Sequence, residues 1–357
     1  MDYQHALEKL ALGNNGLYMA GHPGYKRNFS RDSLVYGLLA TDKESLFAQI
    51  NHSAKYQGKK ANPETGEEPG KIHHELPAGN CRGRPTTYNA CDTNAWFLIS
   101  AALLIKYGYP EIASMHKGPI ERAIVYIRSH IEDGLFTEDP ATCGADNFAL
   151  RVTYWKDSVL ASDHEEPHYP IVYSLVHFQN AYALQLIGKA LDQPELVSLG
   201  DIMKKLGIQK LWRGDHFVTA IDDTDIDPMS SDSLHSLLYI DQGELPRDYA
   251  QSICNYSQKL ETKAGYLSGL VGSETDDYHT RYVWVFEQAL LHAAAKKHTL
   301  RPGMAISERI VDYLDANFPE LIDSQNGFRS AGNNPQLWSI GARKYFEDTS
   351  HSFIAKI

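Results

Sequence analysis

The feature that most constrains the fold of this 357-residue sequence is an alternation of two kinds of predicted helix. The segment "CDTNAWFLISAALLIKYGY" is apolar on most faces, which is typical of a helix in an inner layer. The segment "GPIERAIVYIRSHIEDG" is amphipathic and has a glycine at each end, which is typical of an outer helix. "RDSLVYGLLATDKESLFAQINHSAKYQ" predicts a helix pair that is broken near "ATD", where Asp42 can cap the second helix.

The same alternation continues along the rest of the chain. Further helices are predicted over 168–190, 195–206, 231–242, 246–258, 279–297, 303–316 and 336–350. Strand-like runs such as "HFVTAI" and "LFTED" are short, and we expect them to be hairpin pieces within connections. About a dozen helices of alternating character favour a closed ring of helical hairpins over a bundle or a βαβ sheet. We expect the polar, aromatic-rich connections to gather at one mouth of this ring.

Composition limits the partners and the location of the protein. The formal net charge is -11 and there is no run of Lys or Arg, so we expect neither nucleic acid nor a membrane as a partner. The N-terminus has no signal-peptide pattern and no segment has about 18 uninterrupted apolar residues, which predicts a cytoplasmic protein. The four cysteines stand outside any Cys-x-x-Cys pattern, which predicts reduced, mostly buried thiols: Cys81, Cys91, Cys143 and Cys254.

Two predicted helix starts contain polar residues with two possible roles. The loop "GNNGLYMAGHPGYKRNFSRDSL" ends in Arg31 and Asp32. Ser30 could act as an N-cap with Asp32 favouring the helix dipole, or Arg31 and Asp32 could face the mouth and hydrogen-bond a polyol. Asp92 in "TTYNACDTNAWFL" is explained as an N-cap, yet it precedes a buried helix and could also lie near the centre of the ring.

The long loop "YQGKKANPETGEEPGKIHHELP" carries several side chains with chemical potential. Long irregular loops in compact domains are usually functional. The adjacent histidines His73 and His74 do not have the i, i+4 spacing of a helical zinc site, so we predict no metal. A sugar-binding edge made of Lys71, His74 and Glu75 is the functional interpretation, and a solvated loop is the alternative.

Two segments contain the carboxylates best suited to glycoside hydrolysis, Asp157 in "VTYWKDS" and Glu320 in "FPELIDSQNGFRSAGNNPQLWSIGA". The reaction needs two carboxyl groups on opposite faces of a sugar, one to protonate the leaving oxygen and one to activate water or attack carbon. Trp155 and Trp338 supply flat apolar faces for a pyranose and lower the local dielectric. Lys156 would favour ionised Asp157 unless its ammonium lies on the opposite side of the chain.

Two further segments are expected to face solvent or to fill the core. Asp163, Glu165 and Glu166 are expected to form a solvated loop. The segment "YHTRYVWVFEQALLHA" is interpreted as a core aromatic cluster followed by a helix, with Glu287 solvated in the first turn.

Taken in order, six blocks between residues 29 and 342 resemble the catalytic domain of glycogen debranching enzymes, the amylo-alpha-1,6-glucosidase family, and related helical-barrel glycoside hydrolases. The blocks are "FSRDSL", "NPETGEEPGKIHHE", "YNACDTNAWF", "YWKDS" with "YPIVYSLVHFQ", "YHTRYVWVFE", and "FPELIDSQNGFRSAGNNPQLWSIGA". The resemblance covers nearly the whole chain.

The resemblance implies an all-α fold, an (α/α)6 toroid barrel in which residues 1–357 form one catalytic domain. It also implies inverting hydrolysis of an α-glucosidic bond without a cofactor, with Asp157 as general acid and Glu320 as general base. The residues expected to bind the substrate are Arg31, Asp32, Lys71, His74, Glu75, Asp92, Trp155, Lys156, Trp284, Gln336 and Trp338. A barrel with altered mouth loops is expected to act on a carbohydrate smaller than glycogen, such as an α-glucoside, an oligosaccharide or a glycosylated small solute.

Two alternatives stay open on the sequence. A catalytically silent glycan-binding barrel would keep the aromatic walls but tolerate loss of either carboxylate. A sugar epimerase, isomerase or lyase on a helical barrel would instead be centred on histidines as acid and base, here His73, His74 and His279.

Overall fold

A computed structural model describes residues 2–157, 167–270, 278–314 and 317–357. The acidic residues Asp163, Glu165 and Glu166 lie outside the described residues. Within those ranges the α-helices are α1 Tyr3–Leu10, α2 Ser30–Ala40, α3 Lys43–Lys55, α4 Thr93–Tyr107, α5 Ile112–Met115, α6 Lys117–Ser129, α7 Ser174–Ala190, α8 Pro194–Leu211, α9 Asp232–Ser236, α10 Tyr249–Ser257, α11 Val285–Lys297, α12 Arg301–Glu308 and α13 Leu337–Glu347.

Six of these helices form the inner wall of the molecule. From α2 through α4, α7, α9 and α11 to α13, each packs against the next, and α13 packs against α2 to close the ring. Nearly every residue in their first two to three turns is buried, including Ser30–Leu39 in α2 and Thr93–Leu104 in α4. This closed ring confirms the predicted all-α (α/α)6 fold.

A second layer of helices covers the ring from outside. Helices α3, α6, α8, α10 and α12 each pack on the inner helix that precedes them, and α1 packs on α13. These helices bury one face only, as in α6, where Ile120, Ala123, Ile124 and Ile127 are buried. The two layers share a continuous apolar core, which has the inner helices at its centre.

Short antiparallel strands of two or three residues connect the helices. They are β1 Asn28–Phe29, β2 Glu75–Leu76, β3 Asn80–Cys81, β4 Arg84–Pro85, β5 Ile131–Glu132, β6 Leu135–Phe136, β7 Val172–Tyr173, β8 Ala220–Ile221, β9 Asp225–Ile226, β10 Met229–Ser230, β11 Glu261–Thr262, β12 Gly265–Tyr266, β13 Gly269–Leu270, β14 Tyr282–Trp284, β15 Leu321–Asp323 and β16 Arg329–Ala331. The runs "LFTED" and "HFVTAI" contain β6 and β8, so they are hairpin pieces in connections as predicted.

Strands immediately precede several inner helices and fix where those helices begin. β1 pairs with β2, which places Phe29 opposite Glu75 just before α2. β14 pairs with β15, which places Trp284 opposite Leu321 just before α11. The polar first residues of the inner helices therefore gather at the strand-bearing end of the ring, which is its mouth.

The turn between α2 and α3 follows the sequence prediction. Thr41 has a left-handed backbone with φ of 55°, and Asp42 then caps α3 by accepting a hydrogen bond from the Ser45 amide at 3.0 Å. The predicted helices 168–190 and 279–297 start too early, because Val172–Tyr173 and Tyr282–Trp284 are strands. In the described part of the chain, no helix is both long and apolar enough to cross a membrane.

Candidate active site

A cavity of about 220 Å³ opens at the mouth of the ring. Its walls come from the start of α2, the β2–β4 region, the 153–157 segment, the β14–β15 pair and the start of α13. The lining residues are Tyr25, Arg27, Phe29, Arg31, Asp32, His74, Glu75, Gly79, Asn80, Cys81, Thr86, Leu150, Trp155, Asp157, Tyr278, His279, Trp284, Glu320, Gln336 and Trp338.

Glu320 is a buried carboxylate held from both sides. Its Oε2 accepts hydrogen bonds from the Asn333 amide at 2.9 Å and from the Asn333 side chain at 2.8 Å, and its Oε1 accepts one from the Tyr278 hydroxyl at 2.7 Å. Gly332 has φ of +70°, and a Cβ there would lie 2.5 Å from Glu320 Oε2. Only glycine lets the chain pass this close to the carboxylate.

Asp157 faces the same cavity from another element and is more exposed. Its side chain is 45% exposed, and its Oδ1 lies 3.9 Å from Nδ1 of His279. The preceding Trp155 is buried and forms edge contacts with Trp284 at 5.7 Å and Phe286 at 5.0 Å between ring centroids. Asp157 is therefore a half-exposed carboxylate beside a packed aromatic wall.

Three tryptophans form that wall. Trp284 packs edge-on against both Trp155 and Trp338, the latter at 5.8 Å, and Trp338 stacks on Phe286 at 3.9 Å. The indole nitrogens of Trp155 and Trp338 are buried and have no hydrogen-bond partner among the described residues. These rings offer a sugar an apolar surface.

Arg31 and Asp32 enter the cavity at the start of α2. The Arg31 guanidinium binds both oxygens of Asp92, at 2.7 and 2.8 Å, in a bidentate pair. Asp32 accepts a hydrogen bond from Gln336 Nε2 at 3.2 Å. Burial raises the pKa of Asp32 to about 8, with Arg31 opposing this change and Glu320 adding to it. Asp32 is therefore mostly protonated at neutral pH and can donate a hydrogen bond.

Glu75 and His74 line the cavity beside the start of α2. Glu75 is buried and accepts hydrogen bonds from the side chains of Arg27 and Thr86. Burial, helped by the positive charge of Arg31, holds the pKa of His74 well below its ordinary value, so this imidazole is neutral. The pair presents a carboxylate and a neutral ring to the cavity.

Lys71, which the sequence assigned to substrate binding, does not line the cavity. Its side chain is fully buried, and its ammonium pairs with Glu68 at 2.9 Å and Glu138 at 3.2 Å. Burial by itself would lower the pKa of Lys71, but Glu138 and Glu68 raise it above its ordinary value. Lys71 is thus part of a buried ion network. Asp92 also stays outside the lining residues, and it acts on the cavity through Arg31.

Lys156 and Glu287 also differ from the sequence interpretation. The Lys156 ammonium lies on the opposite side of the chain from the cavity, fully buried, 2.6 Å from Asp232 Oδ1 and 3.4 Å from Glu287 Oε1. Glu287 is 0% exposed instead of solvated in a first helical turn. The structure therefore contradicts the expectation that Lys156 binds the substrate. Its ammonium group pairs with two buried carboxylates and does not face the cavity.

Several residues that line the cavity or hold its carboxyl groups were absent from the predicted site. Tyr278 binds Glu320, and the Tyr25 hydroxyl lies 3.4 Å from the Tyr278 hydroxyl. Asn333 holds the other Glu320 oxygen, and Arg27 holds Glu75. The sequence signal for Tyr278 is its place in the block "YHTRYVWVFE", although the local pattern predicts a core aromatic cluster there. Asn333 lies in the last block, between Glu320 and Trp338.

The three histidines considered for an epimerase-type site are not arranged as an acid and base pair. His73 does not line the cavity and packs edge-on against His52 at 5.2 Å. Burial lowers the pKa of His73 to about 3, and burial with the charge of Lys156 lowers that of His279 to about 3. His279 instead stacks on Trp284 at 4.9 Å. Among the described residues, no group of three or more His, Cys, Asp or Glu could hold a metal ion.

The class of protein defined by these features is an (α/α)6 toroid with an acidic, tryptophan-walled cavity at its mouth. The sequence matches no protein-family model and no protein of curated function. The fold is similar to that of the GH63 mannosylglycerate hydrolase from Thermus thermophilus in complex with Tris, with 13% identity, a TM-score of 0.70 and coverage of 96% of this chain and 98% of that chain. The complex of that hydrolase with glucose gives a TM-score of 0.72 at 13% identity over the same shares.

A wild-type glycosidase is also similar, with 13% identity, a TM-score of 0.64 and coverage of 97% of this chain and 95% of that chain. These similarities extend over nearly the full length of each chain. Because the identity is so low, these similarities establish a shared fold, the six-hairpin toroid, and nothing further.

Proposed function

We propose that this protein is an inverting glycoside hydrolase that cleaves an α-glucosidic bond in a small glycoside, and that residues 1–357 act as one catalytic unit. The observation that carries the proposal is that Asp157 and Glu320 reach the same cavity from separate elements, beside three tryptophan faces. An inverting reaction needs an acid and a base that approach the anomeric carbon from different sides.

Glu320 is suited to be the general base. Three hydrogen bonds, two from Asn333 and one from Tyr278, fix both of its oxygens. A carboxylate held in one orientation can accept a proton from a water molecule as that water attacks the anomeric carbon. The attacking water then becomes the new anomeric hydroxyl, on the face opposite the departing group.

Asp157 is suited to be the general acid. It is the more exposed of the two carboxyl groups, so a leaving group that extends towards solvent can lie beside it. Its proton passes to the glycosidic oxygen as the bond to the anomeric carbon breaks. After product release, Asp157 regains a proton from solvent and Glu320 loses one, so each turnover consumes one water molecule.

The remaining lining residues would bind the sugar whose bond is cleaved. Protonated Asp32 can donate to one hydroxyl, while Arg31 and Gln336 donate to others. Glu75 can accept from a further hydroxyl, and the tryptophan faces support the apolar face of the ring. Such a set suits one neutral sugar ring.

A small solute as the rest of the substrate is supported by the volume of the cavity and by the names of the structural relatives. A cavity of about 220 Å³ is small for a branched polysaccharide. One relative with this fold is named a mannosylglycerate hydrolase and has a structure with Tris and D-glycerate, and another is a glycosidase in complex with glucose. Glycosylglycerates therefore belong among the substrates tested beside α-glucosides and limit dextrins.

The epimerase alternative is disfavoured by the histidines. A histidine whose pKa is lowered to about 3, as for His73 and His279, is too weak a base to remove a proton from a sugar carbon. The silent glycan-binding alternative differs from the proposal in one respect, because it predicts binding without turnover.

The proposal is tested by screening the protein against these glycosides and then assaying Asp157→Asn and Glu320→Gln on the best substrate. Each substitution should lower kcat by about 10²–10⁴-fold, the usual contribution of a general acid or base, with the fold intact by circular dichroism. Asp223→Asn, at an 88% exposed side chain outside the cavity, is the matched control and should retain activity. Normal turnover by either cavity variant would refute the assignment, and binding without hydrolysis would favour the silent barrel.

A further inference from the structure

We propose that Lys156 is a positioning residue for the candidate general acid, and that it acts by fixing the 153–157 segment to the starts of two inner helices. This inference rests on the proposed function, since it gives Lys156 a role only if Asp157 donates a proton. Lys156 itself reaches neither the cavity nor a substrate.

The 153–157 segment alternates between two surroundings. Tyr154 and Lys156 point into the interior of the ring, where both are buried. Trp155 and Asp157 point the other way and line the cavity. Because Lys156 directly precedes Asp157 in the chain, the orientation of Asp157 depends on how its neighbours are held.

Asp232, the first residue of α9, binds both inward side chains. Its Oδ2 accepts a hydrogen bond from the Tyr154 hydroxyl at 2.8 Å, and its Oδ1 lies 2.6 Å from the Lys156 ammonium. One carboxylate therefore fixes two positions of the segment, two residues apart, from the same inner helix. Backbone pairing adds a third attachment, from the Cys91 amide to the Thr153 carbonyl at 2.8 Å.

The Lys156 ammonium extends the attachment to further elements. It lies 2.6 Å from Ser231 Oγ, 3.1 Å from Ser230 Oγ and 2.9 Å from the Ser268 carbonyl oxygen. Glu287 of α11, 3.4 Å away, is held in turn by the hydroxyls of Ser231 and Ser268. The ammonium thus joins the segment to α9, to α11 and to the chain just before β13.

The same ammonium also supports the cavity wall from behind. Nζ of Lys156 lies 5.0 Å from the centroid of the Trp155 ring. A cation at this distance is attracted to the face of the indole and restricts its position. Lys156 therefore constrains both the tryptophan that borders the cavity and the carboxyl group next in sequence.

A purely structural role would not need a charge here. Replacing a buried ion pair by apolar side chains of similar volume is often neutral or stabilising, so burial of Lys156 between two carboxylates is a poor way to gain stability. A charged group with several directed partners does, however, specify one geometry. Geometry matters because a misplacement of about 1 Å can cost about 10²-fold in rate.

The test compares Lys156→Met and Tyr154→Phe with wild type on two substrates of the same sugar and anomer. One substrate has an alkoxide leaving group, which needs a proton from the acid, and the other is the glycosyl fluoride, whose fluoride departs without one. We expect Lys156→Met to lower kcat on the alkoxide substrate by about 10²-fold with little change in KM, and to leave fluoride hydrolysis nearly unchanged. Tyr154→Phe should show the same selectivity to a smaller extent.

Two controls make the outcomes distinguishable. Lys204→Met removes another buried ammonium, which lies 2.9 Å from Glu244 and outside the cavity. This variant should hydrolyse both substrates at the wild-type rate. Asp157→Asn should show the strongest loss confined to the alkoxide substrate. If Asp157→Asn lacks that selectivity, the proposed function fails. If it has the selectivity while Lys156→Met and Tyr154→Phe do not, only the positioning role fails.

Tyr154→Phe also protects the test against a folding defect. It keeps the stacking of residue 154 on Tyr173, which is 4.8 Å between ring centroids, and removes one hydrogen bond to Asp232. If Lys156→Met does not fold, Tyr154→Phe decides alone. Equal losses on both substrates, or no loss on either, would overturn the proposal.

Discussion

Asp32 occupies a position that is unfavourable for an ionised carboxyl group. Burial raises the pKa of Asp32 to about 8, and the neighbouring charge of Glu320 acts in the same direction. In the unfolded chain an aspartate has a pKa of about 3.9, so the unfolded state loses this proton first as the pH rises. Between about pH 4 and pH 8 the folded state binds more protons, and the contribution of Asp32 to stability falls with rising pH.

Asp32→Asn should therefore stabilise the protein, and the gain should depend on pH. Asparagine keeps the shape and can still accept from Gln336, but it has no proton to lose. The difference in melting temperature between variant and wild type should be small near pH 4, grow up to about pH 8 and then level off. Circular dichroism melts at about pH 5, 7 and 9 measure it.

Asp223→Asn, at an exposed position, is the comparison for the Asp32 variant. The difference in melting temperature between Asp223→Asn and wild type should not change with pH. A gap for Asp32→Asn that is constant or shrinks with rising pH would show that the buried carboxyl group is not protonated at neutral pH.

The outcomes for individual lysines show what the sequence could not reveal. Lysine side chains are normally exposed, and the sequence predicts substrate binding by Lys71 and Lys156, yet both are buried. Lys71 pairs with Glu68, three positions before it, but the other partners are far away in sequence: Glu138 lies 67 positions after Lys71, and Ser231 lies 75 positions after Lys156. No local pattern signals such pairs. The ordered blocks, in contrast, identified Asp157 and Glu320, which do share one cavity.

Helix boundaries depended on what precedes each inner helix. Hydrophobic periodicity marks the buried face of an amphipathic helix. An inner helix that is buried on all sides has little periodicity, and a buried strand has little as well, so the pattern does not distinguish the two. Tyr282–Trp284 was therefore included in a predicted helix although it pairs with Leu321–Asp323. The α2–α3 boundary was predicted because Asp42 gives a local capping signal.

Ring closure depends on a close approach between α13 and α2. A Cβ at Gly341 would lie 3.1 Å from the Cα and from the carbonyl oxygen of Tyr36, both of which are backbone atoms. The same approach brings Gln336 of the α13 N-terminus to Asp32 of α2. Gly341 therefore sets the distance between the two helices that close the ring.

Gly341→Ala should separate these helices and lower the free energy of unfolding by about 1–3 kcal/mol, the usual cost of overpacking a core. Denaturant titration measures this loss. Gly118→Ala in α6 is the matched control, because the nearest atom to its new Cβ is the end of the flexible Arg122 side chain. There alanine should stabilise the helix by up to about 1 kcal/mol. Equal effects at both positions would contradict the role of Gly341.

The whole ring should unfold as one unit. The inner helices form a closed circle in which α13 packs on both α2 and α1, so no hairpin can leave without exposing the apolar core on two sides. Far-ultraviolet circular dichroism reports on all helices, while tryptophan fluorescence reports largely on the cavity wall. We expect thermal melts followed by the two signals to coincide. Two separated transitions would mean that the chain contains separable units.

The activity proposed for this ring is tested most directly by the anomeric configuration of the first product. An α-glycoside hydrolysed by acid Asp157 and base Glu320, with water entering opposite the leaving group, must release the β-anomer first. Proton NMR, recorded on the best α-glycoside before the free sugar mutarotates, measures this. We predict that the β-anomer signal appears first and the α-anomer follows only at the rate of mutarotation. Initial release of the α-anomer would contradict the proposed mechanism.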